Sequence, residues 1–252
     1  MNESIGQEFM RRTQPFYVSQ TDQMTGKTQP PLELEVPENA KTIPLPKAED
    51  IHFPEMDVRA AIDNRVSVRR YAESNLSLEE LAYLIWCTQG IKQITSRPVT
   101  MRTVPSAGAR HAFETYLLVK RVDGLEPGLY RYVASQHTLI EVDASVTIHE
   151  KVSAACFSQK MVDNSAVTFI WVAILERMAW RYGERGFRYL HLDAGHVCQN
   201  LYLAGETIDV GVCAIAAFED NDINTSLHLD GKNQFAIYLA STGKKIDHPP
   251  KK

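Results

Sequence analysis

Two arginines flank a serine at alternate positions in the segment Arg65-x-Ser67-x-Arg69. In an extended chain, side chains two and four residues apart share one face, so these three side chains would converge while Val66 and Val68 point into the core. Two guanidinium groups and a hydroxyl on one face form a receptor suited to a phosphate dianion. The same segment is also typical of a solvated edge strand or a helix end, so by itself it leaves both interpretations open.

Two further segments could bring main-chain N–H groups to a ligand. Residues 105–111 combine a proline with small residues and end in Arg110 and His111. Small side chains let the backbone approach a ligand, although the pattern is equally that of a turn. Residues 214–218, Ala-Ile-Ala-Ala-Phe, follow a predicted buried helix, and they could either face a flat ring or belong to the core.

Several common catalytic motifs are missing from the sequence. There is no GxGxxG, GxxxxGK[ST], HExxH or GxSxG pattern, which disfavours Rossmann dinucleotide binding, P-loop chemistry, zinc proteases and hydrolase elbows. His191 and His196 are five residues apart on a predicted helix, which rotates them by about 140° and disfavours shared metal ligation. We therefore predict no metal site. Asp193 on the same helix needs a partner, and Arg185 or Arg188 is the expected one.

The composition is that of a globular protein, with 252 residues, 44% hydrophobic and 23% charged. A net charge of −4 disfavours general binding to nucleic acid or to an anionic membrane. The longest apolar run, residues 166–175, is about half of the ~20 residues that a membrane-spanning helix needs. Residues 1–12 lack the features of a secretion signal. We expect a cytoplasmic protein with no membrane span, whose four separated cysteines are buried thiols.

The chain divides into an N-terminal arm and one domain. Residues 1–56 hold 7 of the 12 prolines and predict a short helix over 5–12 and then an extended arm that wraps the body or a partner subunit. Residues 57–252 are predicted to form the domain. Helices are expected over residues 57–65, from 78 after a Ser77–Glu80 capping box, and over 146–156, 184–207 and 220–229. Strands are expected over residues 115–119, 128–133, 138–142, 166–174 and 234–240, with a loop over 95–108. This order predicts an α+β fold with an antiparallel sheet.

Apolar residues continue round most of the helix predicted over residues 184–207. One stripe repeats at intervals of three and four residues, and Leu192, Cys198 and Tyr202 cover other faces. A helix that is apolar on nearly every side must be buried all round, in a large core or at a subunit interface. We therefore expect a homodimer.

Taken together, the motifs resemble those of the flavin-dependent nitroreductase family, specifically its SagB-type dehydrogenase branch. The resemblance covers residues 57–245 and rests on the ordered motifs Arg65-x-Ser67-x-Arg69-x-Tyr71, Leu78-Glu-Glu-Leu-Ala-x-Leu84, Pro105-Ser-Ala-Gly-Ala-Arg-His111, Gly128-Leu-Tyr-Arg-Tyr132 and the segments 182–189, 192–201 and 211–218. It implies a nitroreductase-like, antiparallel-dominated sheet surrounded by helices, in an intertwined homodimer that holds two FMN molecules at its interface.

The resemblance also implies how the phosphate of FMN is held. Arg65, Ser67 and Arg69 match the family's phosphate-binding segment. A basic residue after the last strand also reaches the phosphate in the family. That residue would be Lys244 or Lys245, in a tail that also carries lysines at positions 251 and 252.

For the flavin ring, the resemblance implies contacts from both subunits. The Pro-Ser loop would lie along the flavin from the other subunit, and it comprises Pro105, Ser106, Ala107 and Gly108. Main-chain N–H groups of Ala216 and Ala217 would face flavin N5 and O4, where negative charge builds on reduction.

The implied activity is transfer of hydride or electrons from NADH, NADPH or a similar donor, through FMN, to a small acceptor such as a nitro compound or a quinone. The alternatives are dehydrogenation of thiazoline or oxazoline rings in a modified peptide, and flavin binding without turnover. Relatives that oxidise azolines carry a Lys-Tyr pair that resembles a general base system, whereas this chain has Arg181-Tyr182 at the comparable place. An arginine stays protonated and cannot readily remove a ring proton, which disfavours the peptide alternative.

Overall fold

The computed structural model describes residues 3–18, 20–96 and 98–246. The helices are α1 Ile5–Arg12, α2 Val58–Asn64, α3 Leu78–Gln89, α4 Ile148–Ala155, α5 Lys160–Asp163, α6 Leu175–Tyr182, α7 Gly186–Thr207 and α8 Asp220–Ser226. The strands are β1 Thr42–Pro44, β2 Ile91–Ile94, β3 Thr100–Arg102, β4 Phe113–Val119, β5 Gly128–Val133, β6 Thr138–Asp143, β7 Val167–Ile174, β8 Val210–Ile215 and β9 Gln234–Lys244.

Seven strands form one sheet in the order β1-β6-β5-β4-β7-β9-β8, and every neighbouring pair in it is antiparallel. Strands β2 and β3 form a separate antiparallel pair. The hairpin between β5 and β6 turns at residues 134–137, where the sequence predicts it. The α+β prediction with an antiparallel-dominated sheet is therefore confirmed.

Helices cover both faces of the sheet. Every residue of β7 is buried, and its side chains alternate between two apolar clusters. Trp171 joins the cluster formed with α3 and α7, while Ile170 joins the one formed with α4 and α8. A strand that is covered on both sides needs no polar alternation, which is why residues 166–174 read as one apolar run.

Helices α3 and α7 form the layer that carries the candidate site. Helix α3 begins after the predicted capping box, in which the Ser77 hydroxyl accepts from the Glu80 N–H and the Glu80 carboxylate accepts from the Ser77 N–H. Helix α7 has 22 residues, so it is about 33 Å long and spans the sheet. Residues at its two ends can therefore contact separate parts of the fold.

The N-terminal segment lies on the body of its own chain. Helix α1 forms where the sequence predicts it, and β1 pairs with β6 at the edge of the sheet. Main-chain oxygens of Pro31, Leu34 and Glu35 accept hydrogen bonds from arginines of the body. The division into an arm over residues 1–56 and a domain over 57–252 stays a prediction.

The sequence analysis did not predict several elements, among them β3 and α6. Residues 95–108, which we expected to be a loop, contribute β3 to the β2–β3 pair, because short polar strands leave no apolar alternation to detect. Helix α6 follows β7 directly, so the apolar run hides the boundary between them.

Among the described residues, no helix is both long and apolar enough to cross a bilayer. The cytoplasmic location stays a prediction.

Candidate functional site

The Arg65–Arg69 segment lies along the outer edge of β8. Helix α2 ends at Asn64, and the Val68 N–H then donates to the Val212 carbonyl at 2.9 Å. The approach is close, since a Cβ atom on Gly211 would lie 2.7 Å from the Val68 side chain. The expectation that Val66 points into the core is wrong, because its side chain is 58% exposed. Strand-like alternation begins only at Ser67, where the bridge to β8 starts.

Tyr202 of α7 contacts two of the three predicted phosphate ligands in the Arg65–Arg69 segment. The guanidinium carbon of Arg65 lies 5.3 Å from the centre of the Tyr202 ring, within the range of a cation–π contact. The Ser67 hydroxyl is 3.0 Å from the Tyr202 hydroxyl, which also accepts from the Ala214 N–H at 2.8 Å. Arg69 is exposed and donates to the Ser67 carbonyl at 3.5 Å. Arg65 and Ser67 therefore both contact Tyr202, a role that no pattern in the sequence indicated for this tyrosine.

The two candidate lysines occupy different surroundings. Lys244 forms an ion pair with Glu80 of the α3 capping box. Lys245 forms an ion pair with Glu206 at 2.7 Å and lies 3.8 Å from Asp209. Only Lys245 of the two lines the cleft of about 870 Å³ that also contains Ser67 and Arg69. The lysines at positions 251 and 252 lie outside the described residues.

The cleft at Ser67 carries more positive than negative charge. Arg69, Arg70 and Lys245 line it, against one carboxylate, Asp209. Within the described part of the chain, neither Arg65 nor Arg69 forms an ion pair with a carboxylate. Guanidinium groups without an internal counter-ion, beside a hydroxyl, suit a phosphate group.

The loop of residues 105–108 is fixed to the other end of α7. The Ser106 hydroxyl donates to an Asp193 carboxylate oxygen at 2.6 Å, and the Ala107 N–H donates to both Asp193 oxygens at 3.2 Å. Burial raises the pKa of Asp193, and these two hydrogen bonds oppose that rise. The His111 N–H closes the turn by donating to the Ser106 hydroxyl at 2.9 Å.

The expectation that Arg185 or Arg188 pairs with Asp193 is wrong. Arg185 donates to the Thr13 carbonyl at 2.8 Å, and Arg188 donates to the Thr13 hydroxyl and the Met10 carbonyl. Five residues along a helix correspond to a rotation of about 140°, so Arg188 points away from the Asp193 side. Both arginines instead hold the N-terminal segment.

Gly108 is where the loop meets α6. Its φ of +57° lies in the left-handed region, and a Cβ atom there would lie 2.5 Å from the Tyr182 hydroxyl and 3.0 Å from the Arg181 side chain. The Arg110 Nε–H donates to the Gly108 carbonyl at 3.0 Å. Glycine therefore lets the Arg181-Tyr182 pair contact this loop directly.

Ala216 and Ala217 are both exposed and follow directly on the end of β8 at Ile215. The Ala217 carbonyl accepts from the Gln159 side chain at 2.8 Å. The two alanines lie two and three residues beyond Ala214, whose N–H group donates to the Tyr202 hydroxyl. The structure thus places Ser67 beside β8 and the two alanines just beyond the end of the same strand.

Within a single chain, the group of Arg65, Ser67, Ala216 and Ala217 is not brought together with the Pro105–Gly108 loop. The loop is bonded to Asp193, and Arg65 and Ser67 contact Tyr202. Nine residues of α-helix correspond to two and a half turns and about 13–14 Å, so the two positions lie on opposite sides of α7. Between them runs a stripe of exposed residues, namely His191, Leu192, Gly195, His196 and Gln199.

Comparison with known proteins decides the family. The model of the nitroreductase family matches residues 62–244. This chain belongs to the nitroreductase family. The sequence resemblance to that family is confirmed, and the sheet and its helices are the family's fold.

Relatives support the same assignment to the nitroreductase family. A protein of Methanocaldococcus jannaschii that is named as a nitroreductase is 33% identical over 205 residues, which cover 81% of this chain and 97% of that protein. A nitroreductase structure from Ralstonia eutropha superimposes with a TM-score of 0.68 at 20% identity, covering 87% of this chain and 95% of the other. The trifolitoxin-processing protein TfxB of Rhizobium leguminosarum bv. trifolii is 28% identical over 133 residues, which cover 51% of this chain and 36% of TfxB.

Proposed function

We propose that this nitroreductase-family chain is an FMN-dependent oxidoreductase that passes hydride or electrons from NADH or NADPH to a small acceptor such as a nitro compound or a quinone. Family membership supports the reaction class. The observation that carries the cofactor assignment is that Arg65 and the Ser67 hydroxyl both contact Tyr202, with no carboxylate paired to Arg65 or Arg69 in the described residues. A phosphate is the group that such donors bind best.

The described residues fit FMN as follows. Arg65, Ser67 and Arg69 hold the phosphate, and Lys245, which lines the same cleft as Ser67 and Arg69, adds a positive charge. Bound FMN supplies the redox chemistry, because it accepts and releases hydride at its ring. At the end of β8, main-chain N–H groups of Ala216 and Ala217 stabilise negative charge that develops on the ring.

The proposed enzyme is a homodimer with a composite site. The loop of residues 105–108 and the Arg65–Arg69 segment lie on opposite sides of α7, so each flavin takes the loop from one subunit and the arginines from the other. The α7 stripe between them would form the seam, and Leu192 on it is 59% exposed in one chain. We expect Leu192→Glu to weaken both dimerisation and flavin retention, because an unpaired carboxylate would be buried in the seam. Sedimentation velocity showing an unchanged dimer would reject this seam.

The experiment that tests the function uses the purified protein reconstituted with FMN. We expect a yellow complex that NADH or NADPH bleaches without oxygen and that a nitroaromatic or a quinone re-oxidises. Protein that does not bind FMN would overturn the cofactor assignment. Binding of FMN without electron exchange would favour a flavin-binding protein without turnover.

Azoline dehydrogenation in the SagB-type branch is the second candidate, because the chain is similar to the trifolitoxin-processing protein TfxB. Arg181 argues against this candidate. Dehydrogenation of an azoline ring requires a base that removes a ring proton, whereas Arg181, which lies beside Gly108 of the loop, stays protonated. Incubation of the FMN-loaded protein with a thiazoline-containing peptide separates the candidates. Loss of two mass units from the peptide would favour the dehydrogenase, and an unchanged peptide would favour the small-molecule reaction.

A further inference from the structure

The hydrogen bond between Ser67 and Tyr202 has a direction that follows from its neighbours. The Tyr202 hydroxyl already accepts from the Ala214 N–H at 2.8 Å. A phenol carries one proton, which needs an acceptor of its own. Among the described residues, the Ser67 oxygen at 3.0 Å is the acceptor within reach of that proton.

The opposite direction leaves a proton unused. If Ser67 donated to Tyr202, the phenol oxygen would accept two hydrogen bonds while its own proton had no partner. Tyr202 is 9% exposed, so an unmet donor at this position is costly. The proton of Tyr202 therefore points to Ser67, and the proton of Ser67 is left to point away from Tyr202.

We propose that Tyr202 is a positioning residue that makes Ser67 a hydrogen-bond donor to the phosphate of the bound ligand. The inference rests on the proposed function, and it adds that Ser67 donates a hydrogen bond to the ligand. A phosphate dianion offers acceptors alone, so a serine that presents lone pairs would repel it, whereas an outward O–H binds it. The Arg65 guanidinium lies over the Tyr202 ring in the same place, and its N–H groups form no hydrogen bond with the described residues.

Because Tyr202 bonds the Ala214 N–H, this arrangement also links the phosphate ligands to β8. The same strand leads to Ala216 and Ala217. One side chain thus sets the Ser67 proton and the Arg65 plane relative to the strand that approaches the ring. None of these contacts requires Tyr202 itself to touch the ligand.

The test compares FMN with riboflavin, which has the same ring but no phosphate. We measure both dissociation constants by flavin fluorescence titration for wild type, Tyr202→Phe, Ser67→Ala and the double variant. Tyr202→Phe keeps the ring under Arg65 but removes the proton, and we expect FMN binding to weaken by about 3- to 10-fold while riboflavin binding is unchanged. Tyr83→Phe is the matched control, since it removes a phenol that bonds the Thr207 hydroxyl at 2.9 Å, away from Ser67.

The double variant separates positioning from general structure. If Tyr202 acts through Ser67, removing the Ser67 hydroxyl costs less FMN affinity in the Tyr202→Phe background than in wild type. Fully multiplicative losses, or equal losses for FMN and riboflavin, would overturn the proposal. Wild-type protein that binds no FMN would instead refute the proposed function.

A direct measurement covers the case in which Tyr202→Phe does not fold. Neutron diffraction from deuterated wild-type crystals locates the Tyr202 hydroxyl deuteron. We expect it between the two oxygens, with the Ser67 deuteron directed into the cleft. A Ser67 deuteron directed at Tyr202 would overturn the inference.

Discussion

Two groups of arginines in this protein differ in what balances their charge. Arg131 and Arg177 are 4% and 3% exposed, and both form ion pairs with the buried Glu114. Arg65 is half-buried and Arg69 is exposed, and neither has a carboxylate partner in the described chain. For the buried pair Arg131 and Arg177, the fold supplies an internal counter-ion in Glu114. Where it supplies none, beside a hydroxyl and a cleft, the arginine is available to an anion from outside.

The paired group holds the N-terminal segment on the sheet. Glu114 lies on the central strand β4, where one carboxylate oxygen accepts from Arg177 at 2.6 Å and from the Leu34 N–H at 2.9 Å. Its other oxygen accepts from Arg131 at 3.2 Å. Both arginines also donate to main-chain oxygens of residues 31–35. The two arginines thus form five side-chain hydrogen bonds within the fold, while Nη1 of Arg177 is buried without a partner among the described residues.

Removing the shared carboxylate should have the largest effect. Glu114→Gln leaves two buried guanidinium groups without a counter-ion, and breaking a buried ion pair from one side costs about 3–5 kcal/mol. We expect the melting temperature to fall by roughly 10 °C for a chain of this size. Glu141→Gln is the control, because Glu141 pairs at 2.7 Å with Lys41, which is 61% exposed. Equal losses for the two variants would show that burial does not distinguish the groups.

Arg102 is intermediate between the two groups of arginines, and its charge affects the pKa of His111. Arg102 is 7% exposed and donates to the Gln89 side-chain oxygen at 2.9 Å, which carries no charge. Burial, followed by the charges of Arg102 and Arg110, lowers the pKa of His111 to about 3. His111 is therefore neutral in the fold above that pH, whereas in the unfolded chain it binds a proton below its ordinary pKa of 6.5. The free energy of unfolding should fall as the pH drops from 6.5 towards 3.

The expected loss over that range is a few kcal/mol, since one pKa unit corresponds to about 1.4 kcal/mol. Unfolding by urea at several pH values measures it. His111→Asn should flatten the profile, and asparagine tolerates the φ of +42° at this position. His228→Asn is the control, because His228 is exposed and has a similar φ of +57°. A His111→Asn profile as steep as that of wild type would contradict the prediction.

The unpaired group is tested by ligand affinity instead of stability. Arg65→Ala removes a charge-assisted contact worth about 1.5–3 kcal/mol, so FMN should bind roughly 10- to 150-fold more weakly. Riboflavin binding and the melting temperature should change little, because Arg65 has no carboxylate partner to lose. Arg59→Ala on the preceding helix α2 is the control, since Arg59 is exposed and lies 3.6 Å from Asp63. Full FMN occupancy in Arg65→Ala would remove the basis of the phosphate assignment.

The sequence predicted features that depend on neighbouring residues, but it did not predict which residues balance each charge. Periodicity located α7, and an unbroken apolar run located β7, because these features depend on neighbours along the chain. The partners of Asp193, Glu114 and Tyr202 were not predicted. Each depends on contacts between residues that are far apart in sequence, such as Glu114 with Arg177 or Ser67 with Tyr202. Local sequence patterns determine the secondary-structure elements. The counter-ion of a charged side chain, in contrast, depends on how those elements pack in the tertiary structure.

The smallest effect distinguishes the two lysines. Lys245→Met should weaken FMN binding by about 3- to 10-fold, because one partly exposed charge contributes about 1 kcal/mol. Lys244→Met should leave FMN binding unchanged, since Lys244 pairs with Glu80 and does not line the cleft with Ser67. Both variants lose an ion pair, so both should be somewhat less stable, and the FMN-to-riboflavin affinity ratio is the deciding measurement. If Lys244→Met lowered that ratio and Lys245→Met did not, Glu80 would be only a temporary partner and the phosphate would lie on the α3 side of β9.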